Sequence, residues 1–319
     1  MIVTLTLNPS LDRTLEVGDL RRGSVIRATA AHFDPGGKGV NVTRALLANG
    51  VDSRAVIPCG GVEGEELARL LDVESVNCLA VPIAGSTRSN IALVEPDGTV
   101  TKVNEPGPTL TGPEFDQVAA AVLRSAGAAD WVVMCGSLPP DVAVDVYAKL
   151  VRQFTAVGIR VAVDTSGPAL LTAVAAGPDL VKPNREELAE AVGAPLATLG
   201  EVIDAAQTLR SLGARAVLAS LGADGAVLVD GDGATLARGP IIEPRSAVGA
   251  GDALLAGFLA GGGRGTAALV EAVAWGTAAA NLPGSRMPAP ADIRRTGVRI
   301  FPDVGALPGA EPGFELTEV

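Results

Sequence analysis

Residues 248–258 read Val248-Gly249-Ala250-Gly251-Asp252-Ala253-Leu254-Leu255-Ala256-Gly257-Phe258. Small residues run straight into an aspartate, and the aspartate opens an apolar run with helical spacing. Small residues at a helix start leave backbone N–H groups bare, and the helix dipole makes that end positive, so it attracts an anion. A carboxylate in the same turn would repel a phosphate. It is better suited to take a proton from a hydroxyl beside one, and phosphoryl transfer to an alcohol needs that pairing of anion hole and base. Asp is also an ordinary first-turn residue, so the stretch needs support from the rest of the chain. It does not carry a dinucleotide fingerprint: Leu254 stands where Gly-x-Gly-x-x-Gly needs its third glycine, and the segment lies far from a first βαβ unit.

Around that stretch, strand-like and helix-like patterns alternate. Strands are expected near residues 2–7, 56–57, 131–135, 159–163, 180–181, 216–219 and 226–229. Helices are expected near 39–49, 64–71, 113–124, 142–156, 184–192, 199–212, 250–260 and 266–281. This is the pattern of an α/β protein, a mostly parallel sheet with helices on both faces. Residues 11–33 and 86–104 break the rhythm with short alternating segments and polar turns such as Glu95-Pro96-Asp97-Gly98. They read as antiparallel strands forming a small β lid over the core. The tail from about residue 302 is rich in Pro, Gly and Glu and is expected to be loosely ordered.

Composition narrows the function. The 319 residues are 48% hydrophobic and 19% charged, enough apolar residues for a large core. A net charge of −11 and 3% aromatic content argue against nucleic-acid and anionic-membrane partners. Three widely spaced cysteines fit free thiols in a reducing compartment, and no apolar run reaches membrane-span length, so a cytoplasmic protein is expected. The single histidine, His32, excludes His-clustered metal sites and Ser-His-Asp catalysis.

Five further motifs bear on chemistry. Pro35-Gly36-Gly37-Lys38-Gly39-Val40-Asn41 lets a ligand approach the backbone, with Lys38 to neutralise a phosphate and Asn41 to bond sugar hydroxyls. It is not a Walker A loop, because Gly39 follows the lysine. Lys38 is one of only four lysines, which weakens the reading of a merely solvated turn residue. Asp12 follows the first strand, where open α/β sheets bind ligands. Arg27 and Arg88 lie in the lid segments and could clamp a phosphate. Lys182-Pro183-Asn184-Arg185-Glu186-Glu187 has the capping-box spacing of Asn184 and Glu187, and alternatively a pair that organises Mg²⁺ and its waters. Ser220-Leu221-Gly222-Ala223-Asp224-Gly225 reads as a strand–turn–strand unit able to wall a nucleotide.

In this order, together with residues 104–108, 136–140 and 164–167, the motifs resemble the PfkB (ribokinase-like) family of carbohydrate kinases over nearly the whole chain. The sugar-phosphate branch, 1-phosphofructokinase and tagatose-6-phosphate kinase, is the most similar part of it. The resemblance implies one ribokinase-like domain over residues 1–319, a three-layer core with a β-sheet lid, often paired as a homodimer through that lid. It implies ATP with Mg²⁺ as donor and D-fructose 1-phosphate as acceptor at its C6 hydroxyl. Tagatose 6-phosphate and fructose 6-phosphate are the alternative acceptors, and a non-catalytic sugar-phosphate sensor is the alternative of another class. By the same resemblance Asp252 is the base, and the amides of Gly249, Ala250 and Gly251 stabilise the transferring group. Asp12, Gly37, Asn41 and Ser137 hold the sugar, and Arg27, Lys38 and Arg88 hold its phosphate. Lys182, Asn184, Ser220, Gly222, Gly225 and Asn281 face the nucleotide, and Glu187 reaches Mg²⁺ through water. Cys135, Asp141 and Ala247 depart from the family pattern, where serine, glycine and a hydroxyl residue are usual.

Overall fold

The structure is a computed structural model that describes residues 1–240, 244–304 and Leu316. Seven strands form the parallel part of a large sheet: β1 (Ile2–Thr6), β4 (Ser53–Cys59), β5 (Cys78–Pro82), β8 (Trp131–Cys135), β9 (Arg160–Asp164), β10 (Leu180–Val181) and β11 (Val217–Ser220). Antiparallel β12 (Ala226–Asp230), β13 (Gly233–Arg238) and β14 (Arg299–Phe301) extend it, in the order β14-β13-β12-β11-β10-β9-β8-β1-β4-β5. The central strands are buried along their whole length: β1 and β8 are Ile-Val-Thr-Leu-Thr and Trp-Val-Val-Met-Cys, the continuous apolar character of strands covered on both faces.

Nine helices are present among the described residues: α1 (Lys38–Ala48), α2 (Gly61–Val73), α3 (Gly112–Ala126), α4 (Val146–Ala156), α5 (Gly167–Val174), α6 (Arg185–Val192), α7 (Leu199–Leu212), α8 (Ala250–Ala260) and α9 (Gly265–Ala280). One apolar cluster joins a face of the sheet to α3, α4, α5 and α7, and a second joins the other face to α1, α8 and α9. Alternate strand residues feed opposite clusters, Val132 and Met134 into the first and Trp131, Val133 and Cys135 into the second. Residues 226–229, expected as a strand, lie in a hairpin whose tight return is fixed by Gly225. That residue has φ +92, and any Cβ there would run into the Ala237 carbonyl.

A second sheet has four strands in the order β3-β2-β6-β7: β2 (Ser10–Glu16), β3 (Ala30–Gly36), β6 (Arg88–Val94) and β7 (Val100–Asn104). The two segments that break the α/β rhythm therefore do build one separate sheet. It is mixed rather than antiparallel throughout, because β2 and β6 pair in parallel from Ser10↔Arg88 to Glu16↔Val94. Each segment folds as a hairpin, and docking two hairpins side by side by their first strands leaves a parallel seam. The expected helix at 142–156 begins only at Val146, since Pro139, Pro140 and Asp141, at φ +62, hold the preceding residues in turns. The α5 helix, β5, β13 and β14 add to the elements expected from the sequence. The expectation for the tail falls, from residue 305 on, outside the described residues except at Leu316.

Candidate active site

Asp252 sits in the first turn of α8, with Gly249 as N-cap at φ +77. That left-handed conformation favours glycine, and a Cβ would stand 2.7 Å from Met287 Cε. The α8 helix is apolar all round because it is buried between the sheet and α9, so Asp252 is 8% exposed. Its Oδ2 accepts a hydrogen bond from Asn41 Nδ2 at 2.9 Å. Burial pushes its pKa up to about 6, and the charge of Asp164 adds to this against Asn41, Lys38 and Lys182. A carboxylate so poised is ionised at neutral pH yet basic enough to accept a proton.

Asp164 ends β9 and is fully buried. Its Oδ1 lies 2.7 Å from Lys38 Nζ and its Oδ2 3.2 Å from Lys182 Nζ. Burial opposes its ionisation, but the two ammonium groups outweigh burial and lower its pKa. Lys38 also meets Glu187 Oε1 at 2.9 Å. Burial works against its charge, and Asp164 and Glu187 overcome that and raise its pKa. Lys182 is 4% exposed, and its Nζ would lie 3.6 Å from a Cβ on Gly251, which puts an ammonium at the glycine turn of α8. The start of α8 thus combines backbone amides, a cation and a carboxylate.

The capping box read from the sequence is formed: Asn184 Oδ1 accepts from Glu187 N at 2.7 Å, and Asn184 N donates to Glu187 Oε2 at 2.9 Å. Both Glu187 oxygens are therefore engaged within the protein. No group of three or more acidic, His or Cys side chains able to hold a metal occurs among the described residues. That donor set does not cage a metal directly. It fits Mg²⁺, which keeps its waters and leans on one carboxylate and the substrate phosphates.

Asp12 and Arg88 lie two register positions apart on adjacent strands of the small sheet. Asp12 Oδ1 accepts from Ser10 Oγ at 2.6 Å and from Asn90 Nδ2 at 3.0 Å. Burial raises its pKa against those bonds and the Arg88 charge. Its carboxylate packs on Gly36, where a Cβ would collide with it. Arg88 Nη1 donates to Glu105 O at 3.0 Å, and burial lowers the Arg88 pKa. Gly37 caps α1 at φ +116, and a Cβ there would be 2.9 Å from Thr6 Cγ2. Arg27 lies exposed between β2 and β3. Ser137 accepts from Asn8 Nδ2 at 3.3 Å, a bond that ties the turn after β8 to the turn after β1. Ser220 bridges Asn184 across the ends of β10 and β11, and Gly222 begins a short 3₁₀ turn at φ +59. Asn281 caps the end of α9 and lines a cleft of about 280 Å³ with Pro240, Thr277, Asp292 and Arg294.

The structure brings Lys38, Asn41, Lys182, Glu187 and Asp252 into one charged cluster. It places Lys38 between Asp164 and Glu187, whereas sequence reasoning grouped it with Arg27 and Arg88. Sequence reasoning gave no role to Asp164, although an aspartate closing the apolar strand Arg-Val-Ala-Val-Asp is the available signal. It also passed over Arg44, which bonds Asn41.

A family profile described as pfkB family carbohydrate kinase matches residues 6–286. The chain belongs to the pfkB family of carbohydrate kinases. It is 41% identical over 261 residues to a 1-phosphofructokinase of Rhodobacter capsulatus, covering 81% of this chain and 82% of that one. It is 38% identical over 257 residues to the ATP-dependent 6-phosphofructokinase isozyme 2 of Escherichia coli, covering 80% and 83%. Among solved structures, Escherichia coli phosphofructokinase-2 in complex with potassium superposes with a TM-score of 0.86 at 36% identity, over 91% of this chain and 96% of that chain. The fold is ribokinase-like, a large mostly parallel sheet with a small separate sheet. Among the described residues no helix is long and apolar enough to cross a membrane.

Proposed function

We propose that this pfkB family kinase transfers the γ-phosphoryl of ATP to the C6 hydroxyl of D-fructose 1-phosphate, giving fructose 1,6-bisphosphate. The observation that carries the reading is Asp252, a buried carboxylate poised near pH 6 at the glycine turn of α8 with Lys182 beside it. Asp252 takes the hydroxyl proton as the oxygen attacks phosphorus. The amides of Gly249, Ala250 and Gly251, with Lys182, bind the charge that spreads over the transferring oxygens. Asp12, Gly37, Asn41 and Ser137 orient the sugar, and Lys38 and Arg88 meet its phosphate; Arg27, at the opposite end of the small sheet from Arg88, does not share that phosphate with it within one chain. Asn184, Ser220, Gly222, Gly225 and Asn281 line the nucleotide side. Glu187 would hold Mg²⁺ through water, and the ion would supply neutralisation of phosphate charge.

The several 1-phosphofructokinases among the relatives favour fructose 1-phosphate as acceptor, and the 6-phosphofructokinase at 38% identity makes fructose 6-phosphate the second reading. Initial rates with ATP·Mg²⁺ across fructose 1-phosphate, fructose 6-phosphate, tagatose 6-phosphate and unphosphorylated sugars separate these. Fructose 1-phosphate should give the highest kcat/KM. Turnover of unphosphorylated sugars alone would refute the phosphate clamp, and sugar-phosphate binding without turnover would indicate a sensor.

A homodimer through the small sheet is part of the same proposal. Phe33, Val100 and Val103 are 45%, 48% and 55% exposed there, apolar side chains that a second sheet would cover. The three cysteines are free, which suits a reducing cytoplasm. The chain is read as one kinase domain with the small sheet inserted in it.

A further inference from the structure

Behind Asp252 a chain of polar contacts runs from Asn41 through Arg44 to Glu74. Asn41 is 7% exposed, and its two amide atoms face different partners. Nδ2 donates to Asp252 Oδ2 at 2.9 Å, while Oδ1 accepts from Arg44 Nη1 at 3.3 Å. An asparagine amide can present either end to a neighbour. A guanidinium has only donors, so Arg44 forces Oδ1 toward itself and Nδ2 toward the carboxylate. Were the amide to turn over, its oxygen would face the Asp252 carboxylate with no proton between them.

Arg44 is itself held from three directions. It is 8% exposed, and its fork is bidentate on Glu74, Nε to Oε2 at 2.6 Å and Nη2 to Oε1 at 2.8 Å. Nη1 also donates to Ser285 O at 3.1 Å. Glu74 caps the end of α2, and Ser285 lies two residues from Met287, the side chain packed against Gly249. A lysine could not hold all three partners at once, because one ammonium lacks the fork. Three chain segments far apart in sequence thus converge on the orientation of one amide.

We infer that Arg44 is a positioning residue for phosphoryl transfer, fixing the Asn41 amide so that its N–H points at the Asp252 carboxylate. The inference rests on Asp252 being the base. The other groups that face Asp252 are Asp164 at the end of β9, Lys38 at the start of α1, Lys182 after β10 and the Cys135 thiol at the end of β8. None of them depends on Arg44 for its contacts, so the Asn41 bond is what an Arg44 substitution changes.

The test is the pH profile of kcat for Arg44→Met, Asn41→Ala and the double variant, with ATP·Mg²⁺ and fructose 1-phosphate at saturation. Losing a hydrogen bond to the ionised form raises the pKa of the base, so the acid limb of Arg44→Met should move up by about one pH unit. The KM for ATP should change less than about twofold, because Arg44 touches no group assigned to the nucleotide. The double variant should shift no further than Asn41→Ala alone, since the two substitutions remove the same bond. Arg44→Lys, which keeps the charge and loses the fork, should shift the limb in the same direction and serves if Arg44→Met fails to fold. An acid limb at its wild-type position in a folded Arg44 variant, or shifts that add in the double variant, overturns the inference. Asp252→Asn made in parallel separates the two readings. If it retains near-normal kcat, the base assignment falls and takes this inference with it. If it is inactive while the Arg44 variants keep the wild-type limb, only the role of Arg44 is refuted.

Discussion

Replacing Asp252 by Asn should make the protein more stable while it disables catalysis, and the two effects should separate with pH. Burial lifts the Asp252 pKa from 3.8 to about 6. A group whose folded pKa is raised favours the folded state below its unfolded pKa and loses that contribution as pH rises through the folded value. For this carboxyl the loss is on the order of 1–2 kcal/mol by pH 5 and about 3 kcal/mol by pH 8, from the size of the pKa rise. Asparagine has the same shape, keeps an oxygen for Asn41 Nδ2 and carries no charge to desolvate. The stability gained by Asp252→Asn should therefore grow by on the order of 1 kcal/mol between pH 5 and pH 8. Urea unfolding followed by tryptophan fluorescence reads this well, since Trp131 and Trp275, the only two tryptophans, are both buried in the cluster that contains α8. In the wild-type enzyme the acid limb of kcat should have its midpoint near pH 6. In the variant kcat should fall by at least ~10²-fold, the low end for a general base. A stability difference that is flat from pH 5 to pH 8 would show that Asp252 is not forced to ionise against its surroundings. Near-normal kcat would remove it as the base whatever the stability did.

Two other outcomes follow from the same geometry. Lys38→Ala should raise the KM for fructose 1-phosphate by roughly tenfold or more, the order of one charge-assisted hydrogen bond. Because Lys38 also neutralises Asp164 and Glu187, the KM for ATP should rise too, but less, and equal effects would take Lys38 out of the sugar-phosphate site. Gly225→Ala should lower the thermal midpoint and weaken ATP binding, because its φ of +92 and the Ala237 carbonyl leave no room for a methyl group. A variant with unchanged midpoint and ATP KM would show that the hairpin bends without cost.

Parts of the candidate site were legible because they are local. Gly249 through Asp252 announces a bare helix start, and Asn184 with Glu187 announces a capping box, since in both cases spacing along the chain is the geometry. The lid segments were visible for a similar reason, as a change of period from 3.6 to 2. Their pairing was not, because nothing in either hairpin states whether the two first strands run together or opposed. Asp164 and Arg44 escaped for a different reason. Asp164 gains its meaning from Lys38, 126 residues away, and Arg44 from Glu74 and Ser285, 30 and 241 residues away. Taken singly they are an aspartate after a strand and an arginine on a helix. Lys38 shows the same limit from the other side: the sequence marked it as a phosphate ligand, and the fold gives it two carboxylates as neighbours.

The four strands of the small sheet all join the core at the same end. Ser10, Gly36, Arg88 and Asn104 lie at or next to that edge in register, while residues 17–29 and 95–99 form the opposite rim. Hinged at that edge, such a sheet would turn like a door on one jamb. Asp12 and Asn90 sit two residues from the jamb, about 7 Å, so a swing barely displaces them, whereas the far ends of β2 and β6 lie about 20 Å out. Arg27 is carried on that outer rim. A label at Arg27 would therefore register any swing of the sheet, and one beside Asp12 would not.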